Sequence, residues 1–249
     1  MLNKSDIARL RGLSRNRRDR REAGRFVVEG HKLVAEVIDS PLTVHTVVAD
    51  EDWDDGAALG AIPVPAHVLE RIASTTSPQP VLAEVEIPDG SWDGLDGDAP
   101  VLVAADLNDP GNVGTLARSA EAAGFGALVA LGDTADPWGP KTVRASAGAL
   151  FRLPVVIERD VDAGLAQLGE RGFRRIGTRM ADATACDELD LTGPVALILG
   201  SEAHGLGTAH DAAIDDWVSI PMAGDLESLN VAMAGTILTY ELARQRRSR

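Results

Sequence analysis

The chain has 249 residues, of which 45% are hydrophobic and 25% charged, with one cysteine and a formal net charge of −14. This length and composition are those of a soluble globular protein with one large domain or two small ones. No stretch approaches the ~18 apolar residues of a membrane helix, and the N-terminus lacks the apolar core of a secretory signal. A single cysteine excludes an internal disulfide. We therefore expect a cytoplasmic protein. Cys186 could be a nucleophile, but it lacks a flanking signature of one, so an inert thiol is favoured and its role stays open.

Positive charge is concentrated at the N-terminus. Residues 1–25 contain nine Lys or Arg against three acidic residues, so this segment is +6 and the remainder of the chain is −20. A basic arm on an acidic body can contact phosphates locally while the body repels other polyanions. A solvated, frayed helix accounts for the same charges equally well. The sequence predicts a basic arm over residues 1–25 and leaves open whether it contacts the phosphates of a partner.

Residues 26–88 predict a small α/β domain, because short apolar strands alternate with amphipathic helices. The predicted strands cover residues 26–28, 43–49, 62–64 and 81–87, and the predicted helices cover residues 29–40 and 67–73. Residues 89–99 are polar and rich in Gly and Asp, which predicts a linker.

Residues 100–249 predict a doubly wound α/β domain. Its first strand, residues 101–105, is a continuous apolar run typical of a buried parallel strand. Further strands are predicted at residues 127–131, 154–157, 175–178, 195–199 and 217–220, and helices at 113–123, 141–150, 162–170 and 230–244. Ligands of such sheets gather at the C-terminal ends of the strands.

Three of these strand ends are followed by polar clusters. Asn112 and Arg118 follow the first strand, Glu202 follows residues 195–199, and Ser228 and Asn230 follow residues 217–220. Ser228 or Asn230 suits the start of the last helix. The chain lacks the glycine motifs of NAD and ATP sites, and no Cys or His pairs have metal-ligand spacing, so we predict no metal site.

The polar clusters resemble the three motifs of the SpoU (TrmH-like) family. This family belongs to the SPOUT superfamily of S-adenosylmethionine-dependent RNA ribose 2′-O-methyltransferases. The first motif is Asn112-x-Gly114-x-x-x-Arg118, the second is LILGSE ending with Gly205, and the third combines IPM at 220–222 with SLNV at 228–231. Residues 26–87 resemble the family's N-terminal RNA-binding domain, which is similar to ribosomal proteins of the L30e type.

The resemblance implies a SPOUT-type α/β domain with a C-terminal trefoil knot, preceded by a small L30e-like α/β domain. It also implies a homodimer whose active sites lie near the subunit interface. The S-adenosylmethionine cofactor would be held by Leu199, Gly200, Ile220, Met222 and Leu229. The catalytic residues would be Arg118, Asn112, Glu202, Ser228 and Asn230, and Arg144 would bind RNA phosphate.

The resemblance also carries a proposed role for Arg118 as the base that accepts the ribose proton. A guanidinium stays charged in proteins, so we favour a role in binding the target phosphate and stabilising developing alkoxide charge. Asn112 would position Arg118 and the ribose, Glu202 would orient the nucleotide or Arg118, and Ser228 and Asn230 would line the methyl-transfer site.

Each motif residue also has an ordinary structural explanation. Asn112 and Ser228 could be helix caps, whereas Glu202 could compensate a helix dipole and Arg144 could be a surface cation. These explanations do not account for the clustering at three strand ends. We therefore predict a methyltransferase acting on structured RNA, with ribosomal RNA favoured over transfer RNA. The alternatives are a SPOUT enzyme that methylates a base and a non-catalytic RNA-binding protein that retains the fold.

Overall fold

The computed structural model describes residues 2–95, 97, 99–201, 205–224 and 228–248. The chain forms two compact units, one of Met1–Asp89 with Trp138–Arg152 and one of Gly90–Pro137 with Leu153–Arg249. Within the described ranges, no helix combines the length and apolar character needed to cross a membrane.

The first unit is built on a four-stranded sheet covered by helices. Its elements are α1 (Lys4–Arg15), α2 (Arg17–Ala23), β1 (Arg25–Glu29), α3 (His31–Ile38), β2 (Val44–Asp50), β3 (Ile62–Val64), α4 (Ala66–Ile72) and β4 (Val81–Glu86). The strand order is β1-β4-β2-β3. The two pairs made by β4 are antiparallel, and β2 and β3 are parallel.

Residues 1–25, predicted as a separate arm, instead contribute two helices to the first unit. Asn3 caps α1 through a capping box, in which its side chain accepts the Asp6 N–H at 3.0 Å and Asp6 accepts the Asn3 N–H at 3.1 Å. Leu10 and Leu13 are buried in the core of this unit. The segment is ordered because its apolar residues recur at helical spacing, which buries one face of a helix that is otherwise basic.

A buried ion cluster anchors α1 to the sheet. Glu84 of β4 is fully buried, and its carboxylate accepts hydrogen bonds from Arg9 Nε at 3.0 Å, Arg9 Nη2 at 3.1 Å and Arg25 Nη1 at 3.0 Å. Burial raises the pKa of Glu84, but the hydrogen bonds from the two guanidinium groups outweigh that effect and the pKa lies below its ordinary value. The carboxylate therefore stays charged and holds the helix in place.

The second unit contains a seven-stranded sheet. In chain order the elements are β5 (Val101–Ala105), α5 (Pro110–Ala122), β6 (Ala127–Leu131), then α6 (Pro140–Ser146) within the first unit, followed by β7 (Val155–Glu158), α7 (Val161–Glu170), β8 (Arg174–Thr178), β9 (Thr184–Ala185), β10 (Val195–Leu199), β11 (Asp216–Ser219) and α8 (Val231–Arg247). The strand order is β7-β6-β5-β10-β8-β11-β9, and every neighbouring pair is parallel.

Residues 138–152 pack with the first unit, although the sequence places them within the predicted second domain. The aromatic rings of Trp138 and Phe26 contact each other, with centroids 4.9 Å apart. The helix predicted over residues 141–150 is shorter than expected. It ends before Ala147 and Gly148, which have φ angles of 47° and 84°. Two successive left-handed residues cannot continue a right-handed helix.

The parallel sheet places the segments that follow β8, β10 and β11 at the same edge, where these strands end. Strands β8, β10 and β11 are neighbours, so their C-terminal ends lie side by side. Helices α5 and α8 pack together on one face of the sheet, where a Cβ atom on Gly235 would lie 2.2 Å from Leu116 Cδ2 and 2.7 Å from Leu199 Cδ1. Glycine at this position therefore permits the close approach of α8 to α5 and β10.

Candidate active site

A cavity of about 510 Å³ opens where β8, β10 and β11 end. Its apolar lining comes from the last residues of these strands, the loop after β11 and the helix α8, and includes Leu199, Val218, Ile220, Met222, Leu229 and Leu238. Polar lining comes from Thr178, Ser219, Ser228 and Asn230. A mostly apolar cavity of this size with a few polar groups is typical of a small-molecule site.

The five residues predicted to hold the cofactor all line this cavity: Leu199, Gly200, Ile220, Met222 and Leu229. Leu199 and Gly200 are buried, and the other three are half-buried. The structure therefore brings together residues that are thirty positions apart in the sequence. Their role in cofactor binding stays a prediction.

In the second motif, two described backbone segments approach each other closely beside the cavity. Ser201 and Gly205 exchange two backbone hydrogen bonds of 2.9 and 2.8 Å. A Cβ atom on Gly200 would lie 2.2 Å from the carbonyl carbon of Gly205 and 2.4 Å from the nitrogen of Leu206. Only glycine leaves room for this backbone approach. Glu202, predicted as catalytic, lies outside the described residues.

The third motif forms the N-terminus of α8. Asn230 is the N-cap residue, and its Oδ1 accepts the N–H groups of Ala232 at 2.9 Å and Met233 at 3.3 Å. Of the two residues that suited the helix start, the structure selects Asn230. Ser228 is therefore not the cap, and it lies exposed on the cavity.

The first motif meets the third through a side-chain hydrogen bond. Asn230 Nδ2 donates to Asn112 Oδ1 at 3.2 Å. Asn112 lies in the first turn of α5, whose N-cap is Asp109, so the helix-cap explanation for Asn112 is wrong. The side chain of Asn112 is instead directed to the start of α8. The structure thus joins two of the three predicted motifs next to the cavity.

Arg118 lies on α5 but not on the cavity. It is six residues beyond Asn112, which turns its side chain about 120° away around the helix. The side chain is exposed, and it makes no hydrogen bond or ion pair with the described residues. Arg144 belongs to the first unit, where it is exposed on α6 and its Nη1 donates to Ser74 Oγ at 3.3 Å.

Residues at the end of β8 also line the cavity, and the sequence analysis missed them. Thr178, Arg179 and Met180 contribute to the lining. The guanidinium of Arg179 lies 4.5 Å from the ring centroid of Trp217, and its Nε donates to the carbonyl of Asp182 at 2.9 Å. The predicted strand over residues 175–178 was the available signal. Only the strand order shows that its end adjoins those of β10 and β11.

Metal-ligating side chains do not cluster in the described part of the chain: no three His, Cys, Asp or Glu residues there could hold an ion. The cavity combines apolar side chains, loop backbone and amide groups. This arrangement can bind a molecule with a flat apolar part and a few polar groups.

Comparisons with known proteins agree with this geometry. Residues 99–240 match the SpoU rRNA Methylase family, and residues 4–83 match the MRM3-like substrate binding domain. The chain is 32% identical to a 23S rRNA guanosine 2′-O-methyltransferase of Bacillus subtilis, with 91% of each chain covered. It is 33% identical to a 23S rRNA uridine 2′-O-methyltransferase of Streptomyces viridochromogenes, covering 93% of this chain and 86% of the relative.

Solved structures of SpoU and TrmH-family proteins are similar to this chain over nearly its full length. The SpoU methyltransferase AviRb from Streptomyces viridochromogenes, in complex with AdoMet, is similar with a TM-score of 0.86 and 31% identity, covering 99% of this chain and 100% of that one. An RNA methyltransferase of the TrmH family from Porphyromonas gingivalis, described as putative, also has a TM-score of 0.86 and 31% identity, with 100% of both chains covered. This chain belongs to the SpoU rRNA methylase family.

Proposed function

We propose that this protein is an S-adenosylmethionine-dependent methyltransferase that modifies a ribose 2′-hydroxyl in ribosomal RNA. The observation that carries the proposal is the cavity at the ends of β8, β10 and β11, with the bonded pair Asn112 and Asn230 at the start of α8. The relatives in Bacillus subtilis and Streptomyces viridochromogenes are 23S rRNA 2′-O-methyltransferases, which supports ribosomal over transfer RNA.

The cavity suits S-adenosylmethionine in size and chemistry. Its volume of about 510 Å³ lies in the range of small-molecule sites. Leu199, Ile220 and Leu229 would enclose the adenine, and backbone groups of Gly200 and Met222 would bind the polar parts. When bound, the cofactor supplies an electrophilic methyl group on a sulfonium.

The residues of this chain would orient the ribose and stabilise charge. Asn112 and Asn230 would hold the ribose hydroxyl close to the cavity. Correct orientation of the two reacting groups alone lowers the activation free energy of a transfer reaction by a large amount. Ser228 would line the same site. Arg118 would bind the target phosphate and stabilise the developing alkoxide, while the proton leaves to solvent or to a neighbouring group.

A homodimer is part of the proposal. Met233, Ile237 and Tyr240 of α8 are 62%, 41% and 63% exposed, and their spacing places them along one side of the helix. Such a stripe of large apolar side chains favours contact with a second copy. The exposed position of Arg118, outside the cavity of its own chain, supports active sites close to that interface.

A trefoil knot and a cytoplasmic location complete the proposal. The close backbone approach at Gly200 and the tight packing of leucine side chains against Gly235 support a fold in which segments cross tightly. The single cysteine supports a reducing compartment.

Two measurements test the proposed function. Calorimetry with S-adenosylmethionine tests the cavity, and absence of binding would favour a non-catalytic RNA-binding protein. Ribosomal RNA from a deletion strain is then incubated with the enzyme and methyl-labelled cofactor, and the labelled nucleotide is mapped. We expect the label on a ribose oxygen. Label on a base would replace the proposal with the base-methylating alternative.

A further inference from the structure

A groove on the first unit is lined by four cationic side chains. Three of them belong to α1 and one to α4, and the groove has a volume of about 470 Å³. The cations are Lys4, Arg11, Arg15 and Arg71. The floor between them consists of Ile7, Ala8 and Gly12. We call this surface the α1–α4 groove.

The α1 cations form a regular row. Lys4, Arg11 and Arg15 are seven and four residues apart, which places them along one side of the helix over about 16 Å. All three are exposed, as is Arg71. The row is held in a fixed orientation because the opposite side of α1 buries Leu10 and Leu13 in the core.

The cations of the α1–α4 groove are not neutralised by any acidic residue that the structure describes. Within the described residues, none of the four makes an ion pair, and Arg15 Nη2 donates to the carbonyl of Ala73 at 3.1 Å. Arg9 on the same helix differs, because it pairs with Asp6 at 2.9 Å and with the buried Glu84 at 3.0 Å. Unpaired cations in a row are unexpected in a protein with a net charge of −14.

We propose that the α1–α4 groove binds the phosphate backbone of the RNA substrate. This inference rests on the proposed function and assigns the RNA contact to particular residues of the substrate-binding unit. Charge complementarity identifies the occupant, since a polyanion with regularly spaced charges matches a row of fixed cations. The described residues lining the groove include no aromatic side chain on which a base could stack.

The groove therefore supplies affinity and position but not base recognition. Contacts to phosphate fix the register of a protein on nucleic acid and carry no direct sequence information. Each phosphate neutralised by a cation releases counterions, so the salt dependence of binding reports how many cations take part.

The test removes three charges from the groove of the full-length protein. The variant combines Lys4→Ala, Arg11→Ala and Arg71→Ala, and leaves Arg15 in place because it also bonds to the backbone. Filter binding to in vitro transcribed 23S rRNA is measured between about 50 and 200 mM salt. We expect the slope of log K against log salt to become shallower by about 2 to 3, and the affinity to fall by at least tenfold at low salt.

The matched control removes three exposed cations outside the groove. Arg18→Ala, Lys32→Ala and Arg159→Ala change the net charge by the same amount; Arg18 pairs with Glu22 at 2.6 Å and Arg159 lies 3.9 Å from Asp133. We expect its slope to stay within about 1 of the wild type. Unchanged cofactor affinity in both variants would show that the catalytic unit has folded.

The outcomes separate the two proposals. If the groove variant keeps the wild-type slope and affinity, the α1–α4 groove does not bind the RNA backbone. The same conclusion follows if the wild-type protein does not bind the transcript. If the wild type transfers methyl groups to RNA and the groove variant binds RNA normally, the RNA-binding role of the groove is wrong and the proposed function stands. If the groove variant loses RNA binding but the wild type transfers no methyl group to RNA, the proposed function is wrong and the RNA-binding role of the groove stands.

Discussion

The sheets of the two units differ in whether a charged side chain lies in their interior. The sheet of the first unit contains the fully buried Glu84, which holds α1 against the sheet through Arg9 and also binds Arg25 of β1. The central strand β10 of the second unit is apolar throughout, and its polar neighbours begin only after Leu199. A buried charge therefore stabilises the sheet of the first unit, whereas the central strand of the second unit is apolar up to the point where it reaches the cavity. Substitution of the buried charge in the first unit should therefore change mainly the free energy of unfolding. Substitutions at the motifs of the second unit should change mainly cofactor affinity or methyl transfer.

Arg118→Ala tests the second unit with the largest expected effect. We expect kcat for methyl transfer to fall by about 10²–10³-fold, because a positioned charge that stabilises the transition state is lost. The dissociation constant for S-adenosylmethionine should stay unchanged, since Arg118 does not line the cavity. Single-turnover methyl transfer and calorimetry measure the two effects.

Arg118→Lys is the companion variant, because it keeps the charge but loses the planar fork of donors. Wild-type activity in this variant would contradict any role that requires bidentate contact with phosphate. Wild-type activity in Arg118→Ala would remove Arg118 from the catalytic mechanism altogether.

Gly200→Ala tests the close backbone approach in the second motif. The new Cβ atom would lie 2.2 Å from the backbone of Gly205, so one of these two backbone segments must move. We expect cofactor affinity to fall more than tenfold and the free energy of unfolding to fall by about 1–3 kcal/mol. Calorimetry and urea unfolding measure these changes.

Gly224→Ala is the matched control for Gly200→Ala. Gly224 belongs to the loop after β11, and a Cβ atom there would have no heavy atom within 4 Å. This variant should bind the cofactor as the wild type does. Equal cofactor affinity in both variants would show that the Gly200 contact does not shape the cavity.

The same contrast between the units explains how far the sequence could predict the site. In the second unit, apolar strands such as residues 195–199 end abruptly at polar clusters, so the sequence could predict a ligand site at the strand ends. The assignment of particular residues to the cofactor came from the family resemblance and stays a prediction. The contribution of Thr178 could not, because it depends on β8 lying between β10 and β11. The bond from Asn230 to Asn112 joins residues 118 positions apart and needed the structure as well.

Predictions for the first unit were less complete. Its four strands were predicted, but α1 and α2 were predicted as an arm because their basic composition concealed the buried Leu10 and Leu13. Composition also cannot show which arginines are neutralised, as Arg9 is by Glu84. The end of α6 depends on a left-handed alanine, Ala147, which no sequence pattern indicates.

Glu84→Gln tests the first unit. The substitution removes the charge that accepts three hydrogen bonds from Arg9 and Arg25, and we expect the free energy of unfolding to fall by about 2 kcal/mol at neutral pH. Methyl transfer by the folded variant on saturating RNA should change little. Urea unfolding and an activity assay below the transition distinguish the effects.

The pH dependence of the same variant gives an independent check. The pKa of Glu84 is lowered in the folded protein from its ordinary value of 4.5, so its stabilising contribution is present above 4.5 and is lost as the pH falls through the lower, folded pKa. The difference between wild type and Glu84→Gln should therefore shrink in acid. A difference that stays constant across this range would mean that the charge of Glu84 is not the cause.

Asn230→Asp has the smallest expected effect on stability and separates structure from function at a single residue. Aspartate caps a helix as well as asparagine does, so the free energy of unfolding should stay within about 0.5 kcal/mol of the wild type. Aspartate cannot donate to Asn112 Oδ1, so we expect the methyl-transfer rate to fall by about tenfold. Asn230→Ala, which removes both functions, should lose about 1 kcal/mol of stability in addition. If Asn230→Asp retains the wild-type rate, Asn230 serves only as the cap of α8, and the bond between the first and third motifs has no part in catalysis.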